Sequence, residues 1–173
     1  MSVDITIAQT PDDVSDAAPL MRALIAWDLG EFAKVSGMDL NPDDYLANSM
    51  DHLDDYMPPE GRFLMARNEA GALVGMLLLH ELRDGVGEVK RLYVDPGTRG
   101  LGLGQRLVTR LVEEARGIGY QTLVLDTGSY MNAAHRIYKA AEFVETDPYE
   151  GGENDGDVAK HLIFMALNLG GRP

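Results

Sequence analysis

Apolar and polar residues alternate at Val3, Ile5 and Ile7, and that period of two predicts a strand over Ser2 to Ala8. The period then lengthens. Ala17, Leu20, Met21, Leu24 and Ile25 recur at helical spacing, and Asp12 or Asp13 can cap the helix they define. A second helix follows Asn41-Pro42, with Tyr45, Leu46, Met50 and Leu53 as its apolar stripe, and Pro58-Pro59-Glu60-Gly61 ends it. Arg62 to Arg67 and Leu73 to Glu81 read as strands joined at Asn68-Glu69-Ala70-Gly71, a hairpin signal. Asp84-Gly85 marks another turn before a strand at Gly87 to Asp95.

The sharpest periodicity comes next. Leu103, Leu107, Val108, Leu111, Val112, Ala115 and Ile118 form one helical stripe, stopped by Gly117 and Gly119. Thr122 to Asp126 is a short strand, and Met131, Ala134, Ile137, Tyr138 and Ala141 mark a shorter helix. Phe143 to Thr146 and Lys160 to Leu169 read as the closing strands, with an acidic, flexible loop from Glu150 to Asp157 between them. Hairpins and crossovers both occur, so the order predicts one α/β domain over residues 1–173 on a mixed sheet.

Composition narrows the chemistry. With no cysteine, disulfides, thiolate metal sites and a cysteine acyl carrier are all excluded, and a reducing, cytoplasmic setting is expected. His52, His80, His135 and His161 include no close-spaced ligand pair, so no metal is expected. The start of the chain lacks the basic and apolar segments of a signal peptide, and the longest apolar run, Met76 to Leu79, cannot span a bilayer. A net charge of -13 opposes binding to nucleic acid or anionic lipid and favours cationic partners.

Between the last hairpin strand and the striped helix lies Asp95-Pro96-Gly97-Thr98-Arg99-Gly100-Leu101-Gly102-Leu103-Gly104-Gln105-Arg106. A strand that runs through a glycine-rich turn into a helix leaves backbone N–H groups free at the helix N-terminus, a ready anion site. A P-loop would need Lys and a hydroxyl after the last glycine, where Gln105 and Arg106 stand. A dinucleotide fingerprint would need a third glycine where Leu107 stands. What fits is Arg99-x-x-Gly102-x-Gly104.

With that loop the chain resembles the GCN5-related N-acetyltransferase superfamily, whose acetyl-CoA pyrophosphate loop has this pattern after the fourth strand. Lys90-Arg91-Leu92-Tyr93-Val94 with Pro96, Leu125-Asp126-Thr127, Ala134-His135-Arg136-Ile137-Tyr138 with Phe143, Pro148-Tyr149 and Phe164 to Leu167 extend the likeness across 62–169. The resemblance implies a mixed sheet of about seven strands flanked by about four helices. It also implies acceptor-side helices at about 12–57 and an acetyl-CoA-binding core at about 62–169.

The reaction implied is acetyl transfer from acetyl-CoA to a primary amine, on a small molecule or a lysine side chain, by direct attack in a ternary complex. Arg99, Gly100, Leu101, Gly102, Leu103, Gly104 and Gln105 would hold the pyrophosphate, with Arg99 or Arg106 adding charge. Leu92 and Val94 lie on the strand that pairs with pantetheine in this superfamily, and their backbone groups would supply the oxyanion donors.

Glu88 stands eleven residues before Arg99, the spacing of the general base in histone-acetylating members, with His80 and Glu81 in reserve. Strand alternation would put Glu88 on the face of Leu92 and Val94. Tyr138 takes the place of the family's general acid, a phenol of pKa about 10 beside a leaving thiolate of pKa about 8.5. Two family residues are missing: Met131 stands where asparagine is common, and Glu142 where a glycine precedes Phe143.

The acceptor would meet the first two helices and the loop near Tyr149. Trp27, Asp28, Glu31 and Phe32 could line its pocket, although Trp27 is expected in the core. The acidic balance favours a cationic amine, and a homodimer is compatible with the sequence. The alternative is a catalytically silent CoA-binding regulatory or interaction module.

Overall fold

The computed structural model describes residues 2–154 and 156–170. The strands are β1 (Val3–Ile7), β2 (Arg62–Asn68), β3 (Leu73–Arg83), β4 (Val86–Val94), β5 (Thr122–Gly128), β6 (Val144–Thr146) and β7 (Leu162–Asn168). The helices are α1 (Ala18–Ser36), α2 (Pro42–Asp51), α3 (Leu103–Ile118), α4 (Asn132–Ala140) and the short α5 (Gly156–Ala159). The strands form one seven-stranded sheet in the order β1-β2-β3-β4-β5-β7-β6. Only β4 and β5 run parallel, joined by the crossover through α3; the other neighbours are antiparallel. The expected mixed α/β sheet is therefore the architecture found.

Each face of the sheet carries its own core. One face buries Leu64, Leu77, Leu79 and Val89 against the stripe Leu103, Leu107, Leu111 and Ala115 of α3. The other buries Phe63, Met76 and Leu78 against Met21, Leu24 and Ile25 of α1 and Leu46 of α2. Alternation along β2 and β3 sends successive side chains to opposite faces, so the central runs Phe63 to Ala66 and Met76 to Leu79 are continuously apolar.

Several local expectations shift. Asp13 does not start α1. Its carboxylate accepts from the N–H groups of Gln9 (2.8 Å) and Thr10 (3.0 Å), closing a 3-10 turn at Pro11–Val14, and α1 begins only at Ala18. Asn41 does cap α2, accepting from Asp43 N–H at 2.9 Å. Leu53 belongs to a separate 3-10 turn, Leu53–Tyr56, and not to the α2 stripe. The acidic connection between β6 and β7 contains α5 and is tied down by side chains, so it is not a free loop; Asp155 lies outside the described residues. Glu142, standing where a glycine was expected, adopts the left-handed backbone itself, with φ +71°.

The largest correction concerns β4. Lys90 pairs with Leu78 and Tyr93 with Met76, so two residues of β4, Arg91 and Leu92, stand against Leu77 alone. This is a β-bulge, and Arg91 makes it with φ +60°. The extra residue reverses the alternation beyond it. Glu88 and Lys90 keep to the α1 face, whereas Leu92 and Val94 pack with the α3 core. Glu88 and Leu92 therefore lie on opposite faces, contrary to the simple alternation expected from sequence. Among the described residues, no helix is long and apolar enough to cross a membrane.

Candidate functional site

The parallel pairing of β4 with β5 covers only Val86–Glu88 against Thr122–Val124. Beyond Glu88 the strands splay, and a cleft opens between them. Its β4 wall runs from Glu88 to Leu92, and Asp126, Thr127 and Gly128 of β5 form the other wall. Asp28 and Phe32 of α1 close one end, and Met131, just before α4, and Tyr138 of α4 complete the lining. Trp27 is not among the lining residues; it is 43% exposed, edge-on to Tyr130, and so is not the core residue expected. Asp28 and Phe32 do line the cleft, and Glu31 does not.

The glycine turn sits at the end of β4. Pro96–Thr98 form one 3-10 turn, with the Asp95 side chain accepting from Gly97 N–H at 2.8 Å. Gly100 and Gly102 then take left-handed φ values of +84° and +69°, and a Cβ on either would meet open space. Their requirement is conformational. Gly104 is needed for packing: a Cβ there would lie 2.8 Å from Ile137 Cδ1 on α4, so it sets how closely α3 approaches the helix that carries Tyr138.

Gly102 precedes α3 with no side-chain cap, which leaves the first-turn N–H groups facing outward. Leu101 and Gln105 are exposed beside them, with Leu103 turned into the core. The two arginines differ. Arg106 is tied to β1 by donation to Val3 O at 2.8 Å. Arg99 remains exposed at the turn, donating to Val94 O at 3.3 Å with its guanidinium 6.0 Å from the Tyr93 ring.

Glu88 is not the exposed strand-start residue that composition alone would suggest; it is 2% exposed. Its Oε2 lies 2.6 Å from His80 Nε2, its Oε1 accepts from Tyr149 Oη at 3.0 Å, and Lys90 Nζ stands 3.8 Å away. Burial by itself would raise its pKa. The His80 hydrogen bond, the charges of Lys90 and His80 and the Tyr149 hydroxyl outweigh burial and hold it below the usual glutamate value. Glu81, the other reserve, is exposed on β3.

A second network surrounds this one. Glu153 bridges Lys90 at 2.5 Å and Arg91 at 3.4 Å and accepts from Asn48 at 3.0 Å, and Arg91 also donates to Ser49 at 3.0 Å. Asn154 donates to both oxygens of Asp126, and Tyr130 donates to Asp28. Burial raises the pKa of Asp28 and of Asp126, against the opposing hydrogen bonds and cations.

Tyr138 is 5% exposed, packs against Phe143 with ring centroids 5.7 Å apart, and forms part of the cleft wall. No described residue bonds its hydroxyl. Burial, then the Asp126 charge, pushes its pKa up, so the phenol stays protonated at neutral pH.

The structure thus brings Glu88, the β4 segment around Leu92 and Tyr138 to one cleft, and puts the Arg99–Gln105 turn where β4 meets α3. Tyr149 was expected near the acceptor. Asp126, Glu153 and Asn154 were not singled out: Asp126 reads as part of an ordinary strand, and the other two sit in an acidic stretch with no periodicity.

The family model described as the GNAT acetyltransferase family matches residues 21–143. Over 172 residues the chain is 38% identical to an uncharacterised N-acetyltransferase of Schizosaccharomyces pombe, covering 97% of this chain and 96% of that protein. It is 36% identical over 137 residues to the IAA acetyltransferase of Azospirillum brasilense, covering 79% of this chain and 86% of that one. Among solved structures, a GNAT-family acetyltransferase from Staphylococcus aureus matches with a TM-score of 0.74 at 19% identity, covering 98% and 100% of the two chains. A GNAT-superfamily phosphinothricin acetyltransferase from Sinorhizobium meliloti, in complex with acetyl-CoA, matches at 0.67 and 18% identity over 98% and 90%. At these identities the two structures speak to the fold.

Proposed function

The chain belongs to the GNAT acetyltransferase family, and we propose that it moves the acetyl group of its cosubstrate acetyl-CoA to a primary amine by direct attack within the cleft between β4 and β5. The observation that carries this reading is the splay itself. It exposes one edge of β4 between the outward N–H groups of the α3 turn and a cleft lined by Glu88 and Tyr138.

The parts divide as follows. The N–H groups from Gly100 to Gln105 grip the pyrophosphate, and Arg99 adds the mobile charge while Arg106 stays with β1. The free edge of β4 at Leu92 and Val94 takes the pantetheine arm as an added strand, and its N–H groups face the developing oxyanion. Residues 62–169 thus hold the donor, and the helices of residues 12–57 contribute the acceptor side.

Glu88, which precedes the bulge, faces that acceptor side, away from the α3 core to which the bulge turns Leu92 and Val94. Its ionised carboxylate attracts an ammonium and accepts its proton. The free amine then attacks the thioester carbon, a C–N bond forms and the C–S bond breaks. The Tyr138 hydroxyl donates a hydrogen bond to the departing sulfur. Its raised pKa makes it a persistent donor and not a strong acid, so the thiolate takes its final proton from the attacking nitrogen.

The acidic balance and the carboxylates Asp28, Glu88 and Asp126 around the cleft support a cationic amine. The absence of cysteine supports a reducing, cytoplasmic setting. The test is purified protein with acetyl-CoA and a panel of polyamines, aminoglycosides, amino acids and lysine peptides, followed by thiol release and product mass. Amine-dependent thiol release with an acetylated product is expected. Tight CoA binding with no turnover on any amine would overturn the proposal.

A further inference from the structure

Acetylation of an ammonium leaves a proton over. R–NH3+ and the thioester give the amide, the thiol and one H+. The ammonium loses its first proton before attack. It loses the second after the C–N bond forms, and that one ends on sulfur as the C–S bond breaks. The first proton must leave the cleft.

Glu88, if it receives that proton, is badly placed to release it to water. Its side chain is 3% exposed, and its neighbours hold it in the ionised form. Three polar partners surround it. Tyr149 already donates its hydroxyl proton to Glu88, with its ring edge-on to Phe164 at 5.6 Å. Lys90 is fixed between Glu153 at 2.5 Å and Glu88 at 3.8 Å, and its side chain is 8% exposed. His80 differs from both. Its Nε2 meets Glu88 Oε2 at 2.6 Å, its ring has a second nitrogen, and its side chain is 20% exposed. An imidazole can take a proton at one nitrogen and release one from the other.

We propose that His80 is the proton outlet of this site: the amine proton taken at Glu88 crosses the Glu88–His80 hydrogen bond and leaves to solvent from the far side of the imidazole. The proton count balances, since one proton enters at Nε2 and one leaves from Nδ1; the imidazole is then its other tautomer, and rotation of the ring with exchange of the Nε2 proton to solvent resets it before the next turnover. The inference rests on the acetyltransferase reading and on Glu88 as the proton acceptor.

The surroundings suit a relay. Tyr56, on the turn after α2, packs edge-on to the His80 ring at 5.4 Å. The charged and titratable groups around the pair are Lys90 on β4, Asp126 on β5, Tyr56 against the His80 ring with Asp55 beside it, Tyr149 and Glu153 from the β6–β7 connection, and Arg91, which pairs with Glu153.

The test uses His80→Gln, and His80→Asn as a second variant, in the full chain with an amine that the wild type turns over. The Gln amide can still donate to Glu88 from the position of Nε2 and the shorter Asn cannot, and neither relays a proton. In dilute buffer, kcat is expected to fall at least about 10-fold, with the KM for acetyl-CoA unchanged. Added imidazole is expected to restore the rate in proportion to its concentration, and the pH dependence of kcat to differ from that of the wild type. A folded variant with kcat within about twofold of wild type would overturn the proposal. So would a loss that imidazole does not relieve and that leaves the pH profile unmoved, which marks a structural role. These outcomes are separate from failure of the function itself, in which the wild type releases no thiol with any amine.

Discussion

The cleft's phenol and carboxylate are held in opposite ways, and their variants should behave differently. Tyr138 is buried, packed on Phe143 and without a hydroxyl partner among the described residues. Tyr138→Phe keeps that packing, so stability should stay within about 0.5 kcal/mol while kcat falls on the order of 100-fold. The KM for acetyl-CoA should not move; steady-state kinetics beside a thermal melt would check both. The place of Tyr138 on an apolar helix face was legible because its helix motif is local. Glu88 was legible by spacing, but its face was not, because the bulge depends on Arg91 at φ +60° and arginine carries no such signal. Trp27 misled for the opposite reason: an indole on an apolar helix reads as core, yet the structure leaves it 43% exposed.

Elements with strong periodicity were readable almost to the residue, and those made by a few hydrogen bonds were not. The α3 stripe is the clearest case, since Leu107, Leu111 and Ala115 are fully buried under the sheet. Leu111→Ala should cost roughly 2–5 kcal/mol, measured by urea unfolding. The start of α1 was misplaced because Asp13 serves a preceding 3-10 turn with the same capping chemistry a helix would use. The β6–β7 connection was read as flexible because acidity and glycines suggest it, whereas its order comes from long-range partners on β4 and β5. The exit from α4 yields a further prediction. Glu142 takes φ +71° at a cost of about 1 kcal/mol for an L-residue. Glu142→Gly would remove that strain while loosening the unfolded chain, so a gain of a few tenths to about 1 kcal/mol is expected. A loss of stability in the melt would contradict the strain argument.

At the scale of the whole molecule, buried carboxylates on one cleft should pull stability in opposing directions as pH changes. Glu88 has a folded pKa below its ordinary 4.5. Its contribution is therefore fully present above 4.5 and is lost as pH falls through the lowered folded value. Asp126 has a folded pKa above its ordinary 3.8, raised chiefly by burial and also by Glu88 and Glu153, against Lys90 and the Asn154 hydrogen bond. Its ionised form is a cost that is complete above the raised value, shrinks as pH falls through it and is gone below 3.8. Glu88→Gln should accordingly be less stable than wild type at neutral pH, with the gap closing only below about 4.5. Asp126→Asn should be the more stable protein at neutral pH, with an advantage that shrinks as pH falls and is gone below 3.8. Urea unfolding of all three proteins from pH 7 down to about pH 3 would separate the two curves. If both differences had the same sign at neutral pH, the cleft would not hold its carboxylates in the two ways its geometry requires.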